Sequence, residues 1–350
     1  MARIDLHRLD GELDALAARG LDSHRFRHEA VARLRHVVPA DAYCFSSADP
    51  GSLVMTATAS DGVDRELAPI VYRNEHEQRD VAKHADLARG HRPVRVLAQE
   101  TGGELERSPR YRELLRPMGA EHELRAAAIE DGVTWGFLHL YRARGRRGFD
   151  SDEVTAVATV GRRLAAGIRD AELADGAETA PAEEAPSLIL LDGADEVALA
   201  TGAGARWLAQ MRTPDVPDRA VPEVLVTLAT QARALARRGG GETARTRVRG
   251  DDGWWLLHAS CTEGAAAGQV AVIVQRAVGA DLTPLLLRAL RLTAGESDVT
   301  ELVLAGRSTK EIAERLHISP YTVQDRLKQV FAKAGVRSRR ELVARLQAPA

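Results

Sequence analysis

Three short clusters in the 350-residue chain carry residue types that acid–base or metal chemistry uses. His24 and His28 are four residues apart in a predicted helix, a spacing that metal ligands can have. Glu75-His76-Glu77 and Glu121-His122-Glu123 place carboxylates beside an imidazole, as general acid–base catalysis would require. No nearby Cys or His completes a ligand set, and short charged runs are usually exposed. The sequence therefore favours a solvated surface at all three.

The thiols and amines restrict covalent chemistry further. Cys44 and Cys261 lie far apart in sequence, which predicts reduced thiols, and Cys44 lies in an apolar segment that is expected to join the core. Lys83 is the only lysine before residue 310, so there is no Gly-Lys-Ser/Thr phosphate loop and almost no candidate Schiff-base lysine. No nucleophile elbow appears either. We therefore predict no catalytic residue, no metal and no cofactor.

A stripe of polar side chains near the C-terminus has the chemistry of nucleic-acid recognition. Its members follow one face of a predicted helix at spacings of three and four: Tyr321, Gln324, Asp325, Lys328 and Ala332. Gln suits adenine, a carboxylate accepts from cytosine, and Lys donates to guanine. Tyr321, Gln324, Asp325 and Lys328 are the predicted base contacts. Residues 291–350 hold three Lys and eight Arg against seven acids, a balance of +4, so the remainder of the chain stands at −6. A basic end behind an acidic body suits DNA binding.

Four helices are predicted around this stripe from their end signals. Three capping boxes mark helix starts: Thr293-x-x-Glu296, Ser308-x-x-Glu311 and Ser338-x-x-Glu341. Ser319-Pro320 marks a fourth start, and Gly306 and Gly335 mark stops. Only His317-Ile318-Ser319 separates the second and third helices, a turn of the length that helix-turn-helix units use.

Residues 292–346, LTAGESDVTELVLAGRSTKEIAERLHISPYTVQDRLKQVFAKAGVRSRRELVARL, resemble the LuxR/GerE-type helix-turn-helix. The matching positions are Leu292-Thr293-x-x-Glu296, Gly306, Lys310-Glu311-Ile312-Ala313, Leu316-x-Ile318-Ser319, Thr322-Val323 and Gly335-Val336-x-Ser338-Arg339. Arg326 departs from the family, because many relatives have histidine there.

The residues, supported by the resemblance, also suggest phosphate and dimer contacts. The predicted phosphate contacts are Ser308, Thr309, Lys310, Thr322, Arg326, Arg337 and Arg340. The resemblance implies a dimer seam on the last helix at Leu342, Val343 and Leu346, with packing inside the domain as the alternative.

The N-terminal block, residues 1–172, has an order of elements that resembles a GAF sensor domain from about residue 20. The predicted elements are a helix at His24–Val38, strands at Ala42–Ser47 and Leu53–Ala59, a hairpin of Leu124–Glu130 and Val133–Tyr141 around Asp131-Gly132, and a helix at Ser151–Ala171. Residues 65–120 do not align. Trp135, Phe137, His139 and Tyr141 alternate onto one strand face and are candidate sensor-pocket residues, with a closed core as the alternative.

Two segments separate this block from the DNA-binding end. Residues 173–186, LADGAETAPAEEAP, have the composition of a linker. Residues 187–280 are predicted to form a strand, an Asp-Gly turn, a second strand, a helix and further strands, which resembles a PAS domain. A GAF-like remnant or a plain dimerisation module is the alternative. The helical run Asp281–Leu292 is predicted to join this block to the DNA-binding end.

The sequence thus predicts an α+β protein with a GAF-like domain, a PAS-like α/β domain and, within residues 281–350, a four-helix LuxR-type domain. The expected function is that of a one-component transcription regulator: a homodimer that reads two half-sites in double-stranded DNA, influences RNA polymerase indirectly and responds to a small molecule. An enzyme with an appended helix-turn-helix and a sigma-factor-like subunit are the alternatives. No run of about 18 apolar residues suits a membrane span and the start lacks a signal core, so a cytoplasmic location is expected.

Overall fold

The computed structural model describes residues 6–173, 185–211, 221–239, 243–250 and 252–347. The chain divides into two compact units, and the division falls between Gln275 and Arg276. Most of the predicted linker, residues 174–184, lies outside the described residues. Across the part of the chain that is described, no helix is both long enough and apolar enough to cross a membrane.

The first domain is a five-stranded antiparallel sheet with helices on both faces. Its helices are α1 (Leu6–Ala17), α2 (Ser23–Arg35), α3 (Ala68–His76), α4 (His84–Arg89), α5 (Leu97–Glu100) and α6 (Ser151–Leu173). Its strands are β1 (Ala42–Ala48), β2 (Met55–Asp61), β3 (Val94–Val96), β4 (Ala120–Glu130) and β5 (Val133–Ala143), in the order β2-β1-β5-β4-β3. The predicted hairpin is confirmed: Asp131 and Gly132 both have positive φ, as the tight turn between β4 and β5 requires.

Close packing fixes α2 and α6 against one face of this sheet. A Cβ on Gly167 of α6 would lie 1.8 Å from the Phe26 ring of α2, so only glycine allows this contact. Gly136 in β5 faces Ile168 of α6, while the next residue, Phe137, belongs to the core on the opposite face. Residues 65–120, which the sequence left unassigned, supply the helices of that opposite face.

The second domain repeats the strand order of the first. It contains β6 (Ser187–Leu191), β7 (Val197–Ala200), α7 (Gly202–Gln210), α8 (Glu223–Arg237), β8 (Ala244–Gly250), β9 (Gly253–Cys261) and β10 (Val270–Arg276), and its sheet runs β7-β6-β10-β9-β8. The predicted strand, turn, strand and helix at its start are confirmed. The long helix α8 was not predicted, and the PAS-like assignment stays a prediction.

Helix α8 belongs to the cores of both domains. Its Leu225 and Leu228 pack in the second domain, whereas Val226 packs in the core of the first domain. In the reverse direction, Val54 of the first domain is buried in the core of the second. The two cores are therefore continuous.

A buried ion pair joins the same two domains. The Asp49 carboxylate accepts from the Arg247 backbone N–H at 2.9 Å and from its guanidinium Nη1 at 3.2 Å. Because both residues are buried, replacing Arg247 with an uncharged residue would remove the ion-pair partner of the Asp49 carboxylate in a medium of low polarity.

The second unit is an all-helical domain. Its helices are α9 (Gly279–Ala289), α10 (Ala294–Leu304), α11 (Thr309–Leu316), α12 (Pro320–Ala334) and α13 (Arg339–Gln347). The predicted starts of α10 and α11 are confirmed as capping boxes at Thr293 and Ser308. Gly306 and Gly335 have positive φ beyond the ends of α10 and α12, as predicted.

One expectation for this domain needs correction, and a second stays a prediction. Arg291 has φ +52°, so the helical run predicted at Asp281–Leu292 is broken before α10. Helix α9 instead packs on α13, where the Thr283 hydroxyl donates to the Leu346 carbonyl at 2.7 Å. Leu342 and Leu346, predicted as seam residues, are only 0% and 2% exposed within the core of one chain. This is the packing alternative, and of the three residues only Val343 is partly accessible.

Candidate DNA-binding surface and sensor site

The turn between α11 and α12 sets the direction of the predicted recognition helix. His317 adopts the left-handed conformation, with φ +53°, and the Ile318 N–H donates to the Ala313 carbonyl at 3.0 Å. Ser319 then caps α12 by accepting from the Thr322 N–H at 3.0 Å, and Pro320 occupies the first helical position. These bonds satisfy backbone N–H and C=O groups that have no partner within a helix at its ends. The turn is therefore stabilised by local contacts.

The polar stripe stands on the solvent side of α12, as its spacing predicted. Gln324, Asp325 and Lys328 are exposed, and Tyr321 is 81% exposed at the first turn. On the other side of the helix, Val323, Leu327 and Val330 are buried. The Gln324 amide donates to the Thr309 hydroxyl at 3.1 Å, which joins the stripe to the start of α11.

The predicted phosphate contacts form two groups. Ser308, Lys310, Arg337 and Arg340 are exposed, while Thr309 and Thr322 are partly buried. Arg326 differs, because its guanidinium donates to the Gly295 carbonyl at 3.3 Å and lies over that residue. A Cβ on Gly295 would be 2.6 Å from the Arg326 Cζ. The departure from the family therefore ties α12 to the start of α10 in this chain.

A charged contact that the sequence did not reveal holds the other end of α12. The Lys333 ammonium lies 2.6 Å from the Glu296 carboxylate and also donates to the Arg291 carbonyl at 3.0 Å. Burial opposes ionisation of Glu296, but the Lys333 charge and the Thr293 N–H lower its pKa. Glu296 was visible in the sequence only as part of a capping box; its partner is 37 residues away.

The four candidate pocket residues of the first domain are buried. Trp135, Phe137, His139 and Tyr141 are each 2% exposed or less. The His84 ring stacks on Phe137 at 3.9 Å, and the His139 Nδ1 lies 3.2 Å from the Tyr141 hydroxyl. The closed-core alternative therefore describes these residues.

A cluster of buried charges fills the space beside them. The Arg125 guanidinium lies 2.6 Å from the Glu75 carboxylate and 2.8 and 3.0 Å from the Nε2 atoms of His84 and His139. It also donates to the Ala82 carbonyl at 2.9 Å. The arginine thus joins α3, α4, β4 and β5 at one point.

A second arginine extends this cluster. The Arg110 guanidinium lies 2.9 Å from the Glu123 carboxylate, 3.5 Å from that of Asp80 and 3.2 Å from the Val81 carbonyl. Glu75 and Glu123, which the sequence placed on the surface, are therefore buried. The prediction was wrong because each carboxylate has a distant arginine partner that the local pattern does not reveal.

The surroundings set the protonation states of the cluster. Burial alone would raise the pKa of Glu75, but the Arg125 charge and the His84 backbone N–H, which donates to this carboxylate at 2.7 Å, hold it well below its usual range. Burial lowers the pKa of both His84 and His139 well below the usual value, and the Arg125 charge adds to the shift. At neutral pH the carboxylate is therefore ionised and both imidazoles are neutral. Burial likewise raises the pKa of the Cys44 thiol to about 12, as expected for a core cysteine.

An open groove of about 600 Å³ lies next to this cluster, among α4, β3 and α5. Its lining residues are Val81, Ala82, Ala85, Asp86, Arg89, Gly90, Arg95 and Glu100. The carbonyls of Val81 and Ala82 in its wall accept from Arg110 and Arg125. Material bound in the groove would therefore contact the backbone that holds the buried arginines.

One member of the histidine pair at His24 and His28 contacts a tyrosine. The His28 Nδ1 lies 2.5 Å from the Tyr43 hydroxyl. Within the described ranges, no group of three or more His, Cys, Asp or Glu side chains is arranged to hold a metal ion.

Comparison with known families identifies two of the domains. Residues 290–346 match the model for bacterial regulatory proteins of the luxR family, and residues 22–168 match the model for the GAF domain. The chain joins a GAF domain to a LuxR-type helix-turn-helix domain. The LuxR-type domain contains the exposed stripe of α12, and the GAF domain contains the buried charge cluster.

Curated relatives match short stretches of the chain. A putative HTH-type transcriptional regulator from Mycobacterium bovis is 54% identical over 52 residues, which is 15% of this chain and 6% of the relative. The monoamine regulon transcriptional regulator of Klebsiella aerogenes is 46% identical over 59 residues, covering 17% of this chain and 26% of that protein. The chain thus spans a small fraction of the length of these relatives.

Solved structures cover larger shares of the chain at lower identity. The GAF domain of a phosphoenolpyruvate-protein phosphotransferase from Coxiella burnetii covers 49% of this chain and 96% of its own, with 18% identity and a TM-score of 0.33. The Vibrio cholerae VqmA dimer, described as a LuxR-type receptor, covers 45% and 80%, with 20% identity and a TM-score of 0.23. Because these scores are low, the GAF assignment depends on the family model.

Proposed function

We propose that this protein is a one-component transcription regulator that binds duplex DNA through α12 and senses a small molecule through its GAF domain. The observation that carries the proposal is the exposed stripe of α12 within a domain that matches the LuxR family. In this proposal Gln324, Asp325, Lys328 and Tyr321 face base edges. The groove beside the buried charge cluster would receive the small molecule.

Phosphate contacts in this proposal surround the recognition helix. Lys310 at the start of α11 combines its charge with the free N–H groups of a helix N-terminus, both of which favour an anion. Arg337 and Arg340 lie beyond the other end of α12, and both are exposed. Such contacts position the domain on DNA without reading its sequence.

A regulator is favoured over an enzyme by the curated relatives, which are named transcriptional regulators. The proposal includes a homodimer on two half-sites, because one helix-turn-helix buries little surface compared with typical specific complexes. It also includes an indirect effect on RNA polymerase and a cytoplasmic location.

Base and phosphate roles can be separated by selection of DNA from a random library with the full-length protein. We expect Gln324→Ala and Lys328→Ala to relax the base preference, each by about 1–3 kcal/mol at the position read. Lys310→Ala should instead weaken binding to all sequences alike and reduce the salt dependence of the affinity.

Gln329→Ala is the matched control, because Gln329 is exposed on the same helix but lies off the stripe. It should leave both affinity and preference unchanged. Equal losses across all sequences for the three test variants would contradict the assignment of base contacts.

A further inference from the structure

The outer edge of the second sheet is a four-residue strand, whose pairing with the next strand contains one register shift. Strand β7 ends the strand order and pairs only with β6 among the described strands. Its sequence Val197-Ala198-Leu199-Ala200 contains neither a charge nor a proline, the residues that commonly protect such edges. The Thr201 N–H donates inward to the Leu188 carbonyl at 2.9 Å. By alternation, the Ala200 N–H points to the free edge, and the register shift at Ala198 interrupts the alternation before it.

Apolar side chains continue from this edge across one face of the sheet. Val197 and Leu199 are 37% and 51% exposed, and Leu188 and Ile273 are 38% and 45% exposed. Leu188 and Ile273 are direct neighbours on β6 and β10, and Leu199 lies beside Leu190 of β6. The exposed residues therefore form a patch and are not scattered singly.

Opposite charges flank the two ends of β7. Glu196 immediately precedes the strand and is exposed. At the other end, the Arg206 guanidinium reaches back over Gly202, with Nη1 4.0 Å from the position of a Cβ there. Neither side chain has an ion-pair partner within the described residues. An antiparallel pair of β7 strands would bring each Glu196 to the partner's Arg206, whereas a parallel pair would place like charges together.

We propose that β7 pairs antiparallel with β7 of a second copy of this chain, about a two-fold axis that crosses the strand. Such an interface is self-complementary, because each copy supplies both the acidic and the basic end. The pairing satisfies the outward N–H and C=O groups and extends the apolar patch from one copy to the next. A four-residue strand pair is smaller than a standard interface, so the dimer is reversible.

This inference deepens the proposed function, since it names the surface that would pair two DNA-binding domains. Its test does not use DNA, so the two proposals can fail separately. If the protein dimerises through β7 but the α12 variants keep the wild-type base preference, only the DNA proposal is contradicted. If the α12 variants lose base preference but the β7 variants dimerise normally, only the β7 contact is contradicted.

The test is sedimentation equilibrium of the full-length protein without DNA, comparing wild type, Glu196→Arg, Arg206→Glu and the double variant. Each single change converts two attractive contacts into two repulsive ones, so each should weaken dimerisation roughly tenfold. The double variant restores opposite charges and should dimerise as the wild type does. Glu263→Arg is the control, because it reverses an exposed charge of the same domain away from β7 and should have no effect.

Three results would overturn the proposal. The wild type could remain monomeric at all concentrations. The single variants could dimerise as strongly as the wild type, which would place the contact elsewhere, for example on α13. The double variant could be weaker than either single variant, which would show that the two charges do not face each other.

Discussion

At the residue scale, the core of the GAF domain is unusual because charges occupy a place where apolar side chains would normally pack. Two arginines, Arg110 and Arg125, meet three carboxylates, and all of their side chains are almost fully buried. A buried ion pair adds little stability relative to an apolar pair, but loss of one partner is costly. The cluster therefore makes the domain sensitive to protonation.

We expect the stability of the GAF domain to fall below about pH 6.5, the usual histidine pKa. His84 and His139 have lowered pKa values in the fold, so the unfolded chain binds more protons than the folded one in this range. Each histidine should lower the free energy of unfolding by up to about 1.4 kcal/mol for each pH unit below this value. The lowered pKa of Glu75 adds a further loss as the pH falls through its unfolded value near 4.5.

Hydrogen exchange of the β4 and β5 amides at pH 7 and 5.5 measures this effect in one domain of the intact protein. His84→Gln should reduce the pH dependence, while His91→Gln, at an exposed histidine, should not. Equal protection at both pH values would mean that the histidines are accessible to protons without loss of the fold.

At the element scale, the sequence predicted those structures whose signals are local. The starts of α10, α11 and α12, and the hairpin at Asp131-Gly132, are each fixed by residues within four positions of one another. The exposed stripe of α12 followed from helical spacing alone. The charge cluster could not be predicted, because Arg125 and Glu75 are 50 residues apart and each looks like surface in its own segment.

Helix α8 was missed for a related reason. Glu223, Thr227 and Gln231 recur at helical spacing, so the local signal for a helix was present, but its packing in two cores depends on partners that are distant in sequence. The predicted seam at Leu342 and Leu346 stays a prediction, although both side chains pack inside one chain. The apolar face of α13 was correctly recognised, but the helix that covers it, α9, comes from the same chain.

Because the two cores share packing at α8, a substitution in the first domain should destabilise the second domain. Val54→Ala removes two methyl groups from a fully buried site and should cost about 1–3 kcal/mol. Because Val54 lies in the core of the second domain, the loss should appear in the exchange of the β8 and β9 amides. Val278→Ala, at a residue that is 54% exposed, is the control. A loss confined to β1 and β2 would show that the two cores are independent.

At the scale of the whole molecule, a response to a signal requires that the first unit influence the DNA-binding unit. The chain passes between the units near Gln275 and Arg276. Helix α9, first regarded as a connecting helix, packs with the DNA-binding domain. The connection that could carry a signal along the chain is therefore shorter than the sequence suggested.

A spacer tests this connection without knowledge of the ligand. Arg125→Met disturbs the GAF core and should change DNA affinity in the full-length protein by a coupling free energy of about 1–3 kcal/mol. A Gly/Ser insertion between Ala277 and Val278 keeps the start of α9 intact, since Val278 stays next to its capping partner Asp281. In the spaced protein we expect normal DNA affinity but no effect of Arg125→Met.

Arg107→Met, at an exposed arginine, controls for loss of charge and should leave the DNA affinity of both proteins unchanged. An effect of Arg125→Met that survives the spacer would show that the influence does not depend on a direct chain connection.

The continuous core around α8 also has a consequence for the ancestry of such proteins. A gene fusion or exchange that cut within residues 173–186 would separate Val54 from its neighbours and leave Val226 without its own. Proteins produced by such a cut would therefore start with two domains that each have an incomplete core. A cut near residue 276 would separate two units with cores of their own. We therefore expect evolution to have exchanged the DNA-binding end as a module, while the two sheet domains were inherited as a pair.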